Sequence, residues 1–284
     1  MRILLFGGGG QLGIDLQSAF SGHGLAVPAK EECPIEELGN VTQLIEQTDA
    51  DLVVNAAAYT RVDDCEANPQ LAFAVNAIGV RNIALASRVA GIPLVHFSTD
   101  YVFNGQRGYP YIERDAPDPL SVYGVSKLAG ERFLRHVVPE WLLIRTSALF
   151  GPGSGDQAGS NFVEAILRKA GAGETLRVVD DQVSAPTFSR DLAEKTAELV
   201  ESGARGTYHV TNQGACSFLH FAQTIVEMAG LNATVEATSS EELHLPAPRP
   251  PYSVLENRQL RLDGYSPLRP WDEALQEYLG ERHC

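Results

Sequence analysis

The chain is short of positive charge. Its 284 residues carry 22 Lys and Arg against 36 Asp and Glu, a formal net charge of −14. A protein that grips a nucleic-acid backbone needs a basic face, so that class is excluded. A small anionic ligand is not excluded, because a helix N-terminus and a few arginines hold phosphate locally. Cysteine is sparse as well: Cys33, Cys65, Cys216 and Cys284. No two of them stand close enough in sequence for a zinc or redox motif, so buried or incidental thiols in a reducing compartment are expected. Long apolar runs are missing too. Met1 leads directly into Ile3-Leu4-Leu5-Phe6 with no charged leader and no cleavage site. These absences predict a soluble, cytoplasmic protein with no membrane and no nucleic-acid partner. What is present is core material: 44% of the residues are hydrophobic, enough for one large α/β domain or two smaller ones.

Short apolar runs alternate with helical patterns through the first half. Residues 3–6, 25–27, 52–55, 94–97 and 142–144 read as strands. Helices are expected from about Gln11, over 71–90, and around Tyr123 and Lys127. Continuously apolar strands between helices predict a parallel sheet covered on both faces. Right-handed crossovers then make it a doubly wound, Rossmann-like α/β sheet. Residues 1–150 are expected to form this dinucleotide-binding part. After Phe150 the pattern loosens, and 151–155 reads as a loop. Helices are expected at about 161–170, 189–202, 217–229 and 271–279, with a strand at 207–210. The proline-rich run 245–251 must be extended. Residues 151–284 are expected to be mainly a smaller, C-terminal substrate-binding portion, with at least one helix returning to the main sheet.

The first strand runs into Gly7-Gly8-Gly9-Gly10-Gln11-Leu12-Gly13, which opens a helix. That is the setting of a dinucleotide fingerprint, in which glycines let the backbone approach a pyrophosphate at the helix N-terminus. Gly7, Gly10, Gln11, Leu12 and Gly13 are the candidate cofactor contacts. A tight turn without ligand is the plainer reading. No Gly-Lys-Ser/Thr ending follows, which argues against a mononucleotide phosphate loop. The second strand ends Val27-Pro28-Ala29-Lys30, without the carboxylate that would hold a free adenosine ribose. Lys30 could pair with a 2′-phosphate and favour NADPH, or it is a solvated lysine. Ala56, Ala57 and Ala58, after the third strand, are small enough to pack against a cofactor. Tyr123 and Lys127 lie at helical i, i+4 spacing, so they share a face. The lysine charge would favour a phenolate, and Ser98-Thr99 at a strand's carboxyl end would hold a carbonyl oxygen. Together these groups suit carbonyl reduction by NADPH or NADH, or the reverse. His96, inside an apolar strand, reads as a satisfied core histidine.

Several longer runs make the chain resemble the extended short-chain dehydrogenase/reductases and, more narrowly, the dTDP-4-dehydrorhamnose reductases. They include Val54-Asn55-Ala56-Ala57-Ala58-Tyr59-Thr60 with Val62-Asp63, Ser98-Thr99-Asp100-Tyr101-Val102-Phe103 and Tyr123-Gly124-Val125-Ser126-Lys127. Further along stand Arg145-Thr146-Ser147, Asp181-Gln182-Val183-Ser184-Ala185-Pro186-Thr187 and Pro248-Arg249-Pro250. The resemblance spans nearly the whole chain. It implies that Thr99 binds the substrate carbonyl, that Tyr123 donates the proton, and that Lys127 holds the nicotinamide ribose. It further implies that Asp100 and Tyr101 line the sugar pocket and that Arg249 meets the nucleotide diphosphate. The implied partner is a dTDP-linked 4-keto-6-deoxysugar, bound by a monomer or homodimer.

Two positions depart from the family. Ala148 stands where a tryptophan often packs against the sugar, so either a neighbour fills the gap or the pocket is wider. Asp15 stands where some members carry a metal-binding glutamate, but no ligand set assembles around it and no metal is expected. A dehydratase would want an acidic pair beside Thr99, and Asp100-Tyr101 fits that less well. A non-catalytic, dinucleotide-binding regulatory subunit is the other class, and such a protein has no need of an intact Thr99, Tyr123 and Lys127.

Overall fold

The computed structural model describes residues 1–153 and 161–282. Its first half runs β1 (Arg2–Phe6), α1 (Gln11–Ala19), β2 (Gly24–Ala26), α2 (Leu38–Thr48), β3 (Leu52–Asn55), α3 (Val62–Ala67), α4 (Pro69–Phe73), α5 (Val80–Ala90), β4 (Leu94–Thr99), α6 (Val122–Val137) and β5 (Trp141–Thr146). The second half adds β6 (Leu149–Phe150), α7 (Phe162–Gly171), β7 (Leu176–Val179), β8 (Val183–Ser184), β9 (Thr187–Phe188), α8 (Ser189–Glu201) and β10 (Gly206–His209). It ends with β11 (Cys216–Ser217), α9 (Phe218–Met228), β12 (Val235–Thr238), α10 (Ser240–Leu243), α11 (Arg258–Leu262) and α12 (Trp271–Glu281).

Among the described residues the main sheet is parallel throughout, in the order β10-β5-β4-β3-β1-β2. The order reverses between β1 and β3, which is where a doubly wound sheet leaves a crevice at its carboxyl edge. Strands β3 and β4 are buried along their whole length, as strands covered on both faces must be. One core lies between the sheet and the helices α1 and α8, built on Ile3, Leu5, Leu16, Val54 and Leu192. A second lies under α2, α5 and α6, built on Leu4, Val41, Val53, Ile83 and Leu134. The second half has a core of its own, with Phe150, Phe188, Phe221 and Trp271 at its centre. No helix of the described residues is long and apolar enough to cross a membrane.

More of the second half returns to the main sheet than one helix: α8 packs on α1, and β10 adds an edge strand beside β5. The pair β7 and β12 is a small parallel ribbon that the sequence pattern does not reveal. The helical spacing over 71–90 is realised as α4, a π-helical turn at Ala74–Gly79, and α5. Such turns place a side chain out of the ordinary helical register, and here that side chain is Asn76. Its amide bonds both the N–H and the carbonyl of Tyr59 at 2.8 and 2.9 Å, and the hydroxyl of Ser126 at 3.0 Å. The end of β3 is thereby tied to α6. Of the glycine-rich loop at 151–155, Ser154 and Gly155 lie outside the described residues, as does Cys284.

Candidate active site

The glycine turn between β1 and α1 is built for close approach. Gly7 has φ +79°, and a Cβ there would come within 2.4 Å of the Ala57 nitrogen. At Gly13 a Cβ would meet the Gly7 carbonyl at 2.2 Å, whereas at Gly9 it would meet nothing within 4 Å. One side of the turn is therefore packed shut against Ala56 and Ala57, whereas the turn has room for a Cβ at Gly9. The first intrahelical bond runs from Ile14 N–H to the Gly10 carbonyl at 3.0 Å. The N–H groups of Gln11, Leu12 and Gly13 precede it and point out of the helix start. Leu12 offers only that N–H, because its side chain is buried in the core beside Leu16. Gln11 accepts from Asn161 Nδ2 at 3.1 Å, while its buried Nε2 has no partner. A glycine turn at a helix start beside an unused buried donor suits a dinucleotide pyrophosphate. Lys30, beyond β2, is exposed and makes no ion pair or hydrogen bond among the described residues. The neighbouring Glu32 carboxylate is taken up by the Ala29 N–H at 2.9 Å.

The carboxyl end of β4 carries Thr99. Its hydroxyl accepts from the Tyr101 N–H at 3.2 Å and donates to Asp100 Oδ1 at 3.1 Å, which turns the chain into the short 3₁₀ segment Asp100–Val102. Asp100 is 3% exposed. Burial pushes its carboxyl up to about 6, against the hydroxyls of Ser253 and Thr99. Helix α6 begins beside it, capped by the Ser121 hydroxyl, which accepts from the Gly124 N–H at 3.2 Å. Gly124 is required by the contact, since a Cβ there would lie 2.3 Å from the Tyr101 carbonyl. That closeness sets Tyr123 edge-on to Tyr101, with ring centroids 5.9 Å apart.

Tyr123 and Lys127 are both buried. Burial pushes the Tyr123 phenol upward, and the Thr99 hydroxyl pulls it the other way by favouring the phenolate. Lys127 Nζ donates to the Phe97 carbonyl at 2.7 Å, so the ammonium is anchored to β4. Burial lowers its proton affinity to about 8, with the Glu131 charge opposing. Thr99, Asp100, Tyr101, Tyr123 and Lys127 thus converge where the ends of β3 and β4 meet the start of α6. Beside them Thr146, paired in register with Thr99, keeps a buried hydroxyl without a partner.

Arg249 arrives from the proline-rich crossing, and its fork is already engaged. It bonds both oxygens of Asp63 at 3.0 and 2.8 Å and the Ala247 carbonyl at 2.8 Å. The guanidinium also holds down the Tyr101 hydroxyl, which burial otherwise pushes up. A phosphate would have to share Arg249 with Asp63, a partner the spacing of the two residues gave no means of foreseeing. Ala148 follows β5 in a left-handed conformation, φ +41°, half-buried. His96 is fully buried and held neutral by burial and by the Lys127 charge. Its Nδ1 lies 3.2 Å from Asn55 Nδ2, but Nε2 has no partner, so it is a core histidine satisfied on one side only. Asp15 is buried against the Ser189 hydroxyl, and no cluster of metal-ligating side chains occurs among the described residues. Glu131 lies one helical turn beyond Lys127, and this i, i+4 spacing, visible in the sequence, sets its charge beside the ammonium.

The same arrangement of strands and helices recurs in proteins of known structure. A crystal structure of dTDP-4-dehydrorhamnose reductase (rfbD) from Bacillus anthracis in complex with NADP superposes with a TM-score of 0.94, at 36% identity, covering 99% of each chain. The spore coat polysaccharide biosynthesis protein SpsK of Bacillus subtilis is 42% identical over 283 residues, 99% of this chain and 98% of the relative. A dTDP-4-dehydrorhamnose reductase of Streptomyces griseus is 39% identical over 97% of this chain and 92% of its own length. The sequence profile of the RmlD substrate binding domain matches residues 1–284, and the chain belongs to that family.

Proposed function

We propose that the protein reduces the 4-keto group of dTDP-4-dehydro-L-rhamnose to the hydroxyl of dTDP-L-rhamnose, with NADPH or NADH as the reductant. The observation that carries this reading is the convergence of Thr99, Tyr123 and Lys127 in a sheet whose first strand ends in a glycine turn at a helix start. Relatives that bear the reductase name over nearly their full length support it, and the NADP in the Bacillus anthracis neighbour supports NADPH as the donor. Gly7, Gly10, Gly13, Ala56, Ala57 and Ala58, with the N–H groups of Gln11 and Leu12, would hold the dinucleotide. Lys127 would steady the nicotinamide ribose, and Lys30, free in solvent, is available to a 2′-phosphate. When bound, the reduced nicotinamide supplies a hydride.

The remaining work falls to side chains. Thr99 already donates a hydrogen bond, and turning that donor from Asp100 to a substrate oxygen would hold the carbonyl. Tyr123, kept protonated by burial, gives its phenolic proton to the oxygen as alkoxide character develops. Asp100, Tyr101, Ala148 and Arg249 would line the sugar diphosphate site. The SpsK relative and the small Ala148 together favour one second reading, reduction of another dTDP-4-keto-6-deoxysugar. Among the described residues the buried free thiols Cys33, Cys65 and Cys216 suit work in the reducing cytoplasm. Incubation with dTDP-4-dehydro-L-rhamnose and NADPH tests the proposal. Loss of nicotinamide absorbance with a product two hydrogens heavier is expected. No turnover on any dTDP-4-keto-6-deoxysugar would refute it.

A further inference from the structure

A cavity of about 590 Å³ lies beside the edge strand β10, between the middle of α6 and the segment that follows Ile112. Small-molecule sites occupy roughly 300–1,000 Å³. Five arginines line it, Arg114, Arg132, Arg135, Arg145 and Arg205, with only two carboxylates, Glu113 and Asp115. In a chain of net charge −14 such a concentration of guanidinium is a local feature with a local cause.

The two carboxylates are already occupied. Asp115 pairs with Arg107 and accepts the Ile112 N–H at 2.7 Å. Glu113 accepts the N–H groups of His209 and Gln259 at 3.2 and 2.9 Å. On the basic side, Arg145 is spent on Glu131 and Arg205 on Glu140. Arg135 reaches Glu131 only at 3.5 Å and bonds the Thr207 hydroxyl at 3.0 Å, while its buried Nε–H has no partner. Burial weakens the hold of Arg135 on its own proton; the Glu131 charge opposes this, and the nearby charges of Arg145 and Arg132 add to it. Arg114 and Arg132 are exposed and make no ion pair or hydrogen bond among the described residues.

We propose that this cavity binds a multiply charged, phosphate-bearing anion, held by Arg114, Arg132 and Arg135. Guanidinium forks match phosphate oxygens in pairs, and a diphosphate offers enough of them to engage three arginines. The anion would also relieve the repulsion between Arg132 and Arg135. Arg132 and Arg135 lie nine and twelve residues along α6 from Tyr123, roughly 14–18 Å at 1.5 Å per residue, so this is a separate site. The inference does not depend on the reductase reading.

Two measurements test it with the full-length protein and inorganic pyrophosphate. Phenylglyoxal modifies accessible arginines, and peptide mass spectrometry locates the adducts. Pyrophosphate is expected to protect Arg114 and Arg132, which keeps the readout apart from any phosphate bound at the glycine cradle. In calorimetry at low salt, the Arg114→Ser/Arg132→Ser variant should lose a binding event or bind at least about tenfold more weakly. Both positions are exposed, and an unchanged thermal midpoint would exclude misfolding. Adenosine diphosphate, compared between the parent and the variant because the glycine cradle can also take it, distinguishes a nucleotide from a free polyphosphate: a larger loss in the variant than pyrophosphate shows assigns the nucleoside. Unprotected arginines, or pyrophosphate binding identical in the variant, would overturn the proposal.

Discussion

Arg145 of β5 and Glu131 of α6 face each other across two hydrogen bonds of 2.8 and 2.7 Å, each side chain 1% exposed. Burial alone would push the Glu131 carboxyl up; Arg145 first, then Ser98 and Arg135, outweigh it and hold the carboxyl below its usual range. The pair clamps the helix of Tyr123 and Lys127 to the sheet. Removing Glu131 leaves Arg145 buried without its carboxylate, and removing Arg145 leaves Glu131 only the longer 3.5 Å contact to Arg135, so each loss costs about 3–5 kcal/mol. Glu131→Gln and Arg145→Met should each lose stability on that scale in urea unfolding. The double change Glu131→Leu/Arg145→Met should lose less, because the fully buried charges go together and only the half-buried Arg135 gives up a 3.5 Å contact. Single variants within about 1 kcal/mol of the parent would show that water reaches the pair.

Lys127 gives the site a pH dependence on the alkaline side. Its ammonium is present below about pH 8 and is lost above it. The kcat/KM for NADPH should therefore fall as pH rises through about 8. Lys127→Arg retains a charge at every accessible pH and should show no such limb, at a lower overall rate. The same limb in Lys127→Arg would assign it to another group.

Asp100 acts on stability in the opposite pH range. Its carboxyl is raised from 3.8 to about 6 in the folded protein, so its ionised form favours unfolding. The stability it contributes is fully present below about pH 4 and lost as pH rises through 6. Asp100→Asn removes this dependence. The stability of Asp100→Asn relative to the parent should rise by about 1 kcal/mol between pH 5 and pH 7.5. A difference that stays flat across this range would mean that Asp100 titrates normally.

Legibility followed the range over which each interaction acts. Apolar runs bounded by turns located β1, β3, β4 and β5, because burial on both faces writes itself into consecutive residues. Ser98 and Thr99 extend β4 beyond its apolar run, since the strand's polar end faces the site. Helix α2 is hard to see in the sequence because it buries only Val41 and Ile45. Tyr123 and Lys127 were legible because four residues on a helix make one face. Asp63 and Arg249 were visible as residues but not as partners, because 186 positions separate them. The same holds for Asn76, whose bonds to Tyr59 and Ser126 depend on a π turn that apolar spacing does not encode.

Ala148 joins backbone strain to the proposed sugar wall. It holds φ +41° without being glycine, and its carbonyl accepts the Thr187 N–H at 3.2 Å, which pins the turn between β5 and β6 to β9. A left-handed L-residue carries roughly 1–2 kcal/mol of strain. Ala148→Gly relieves it but adds freedom to the unfolded chain, so a net gain of about 0–1 kcal/mol is expected. Ala148→Val adds a branched carbon at the same φ and should destabilise by more than about 1 kcal/mol. Equal stability of Ala, Gly and Val would mean the turn is not held left-handed. Ala148→Trp then probes the site itself. If neighbouring groups already fill the space an indole would take, that variant should lower kcat/KM for dTDP-4-dehydro-L-rhamnose beyond what Ala148→Val does. The comparison with valine removes the part of the loss that comes from backbone strain alone. A tryptophan variant that improves the rate on this sugar while narrowing the range of others would instead establish an open wall at Ala148.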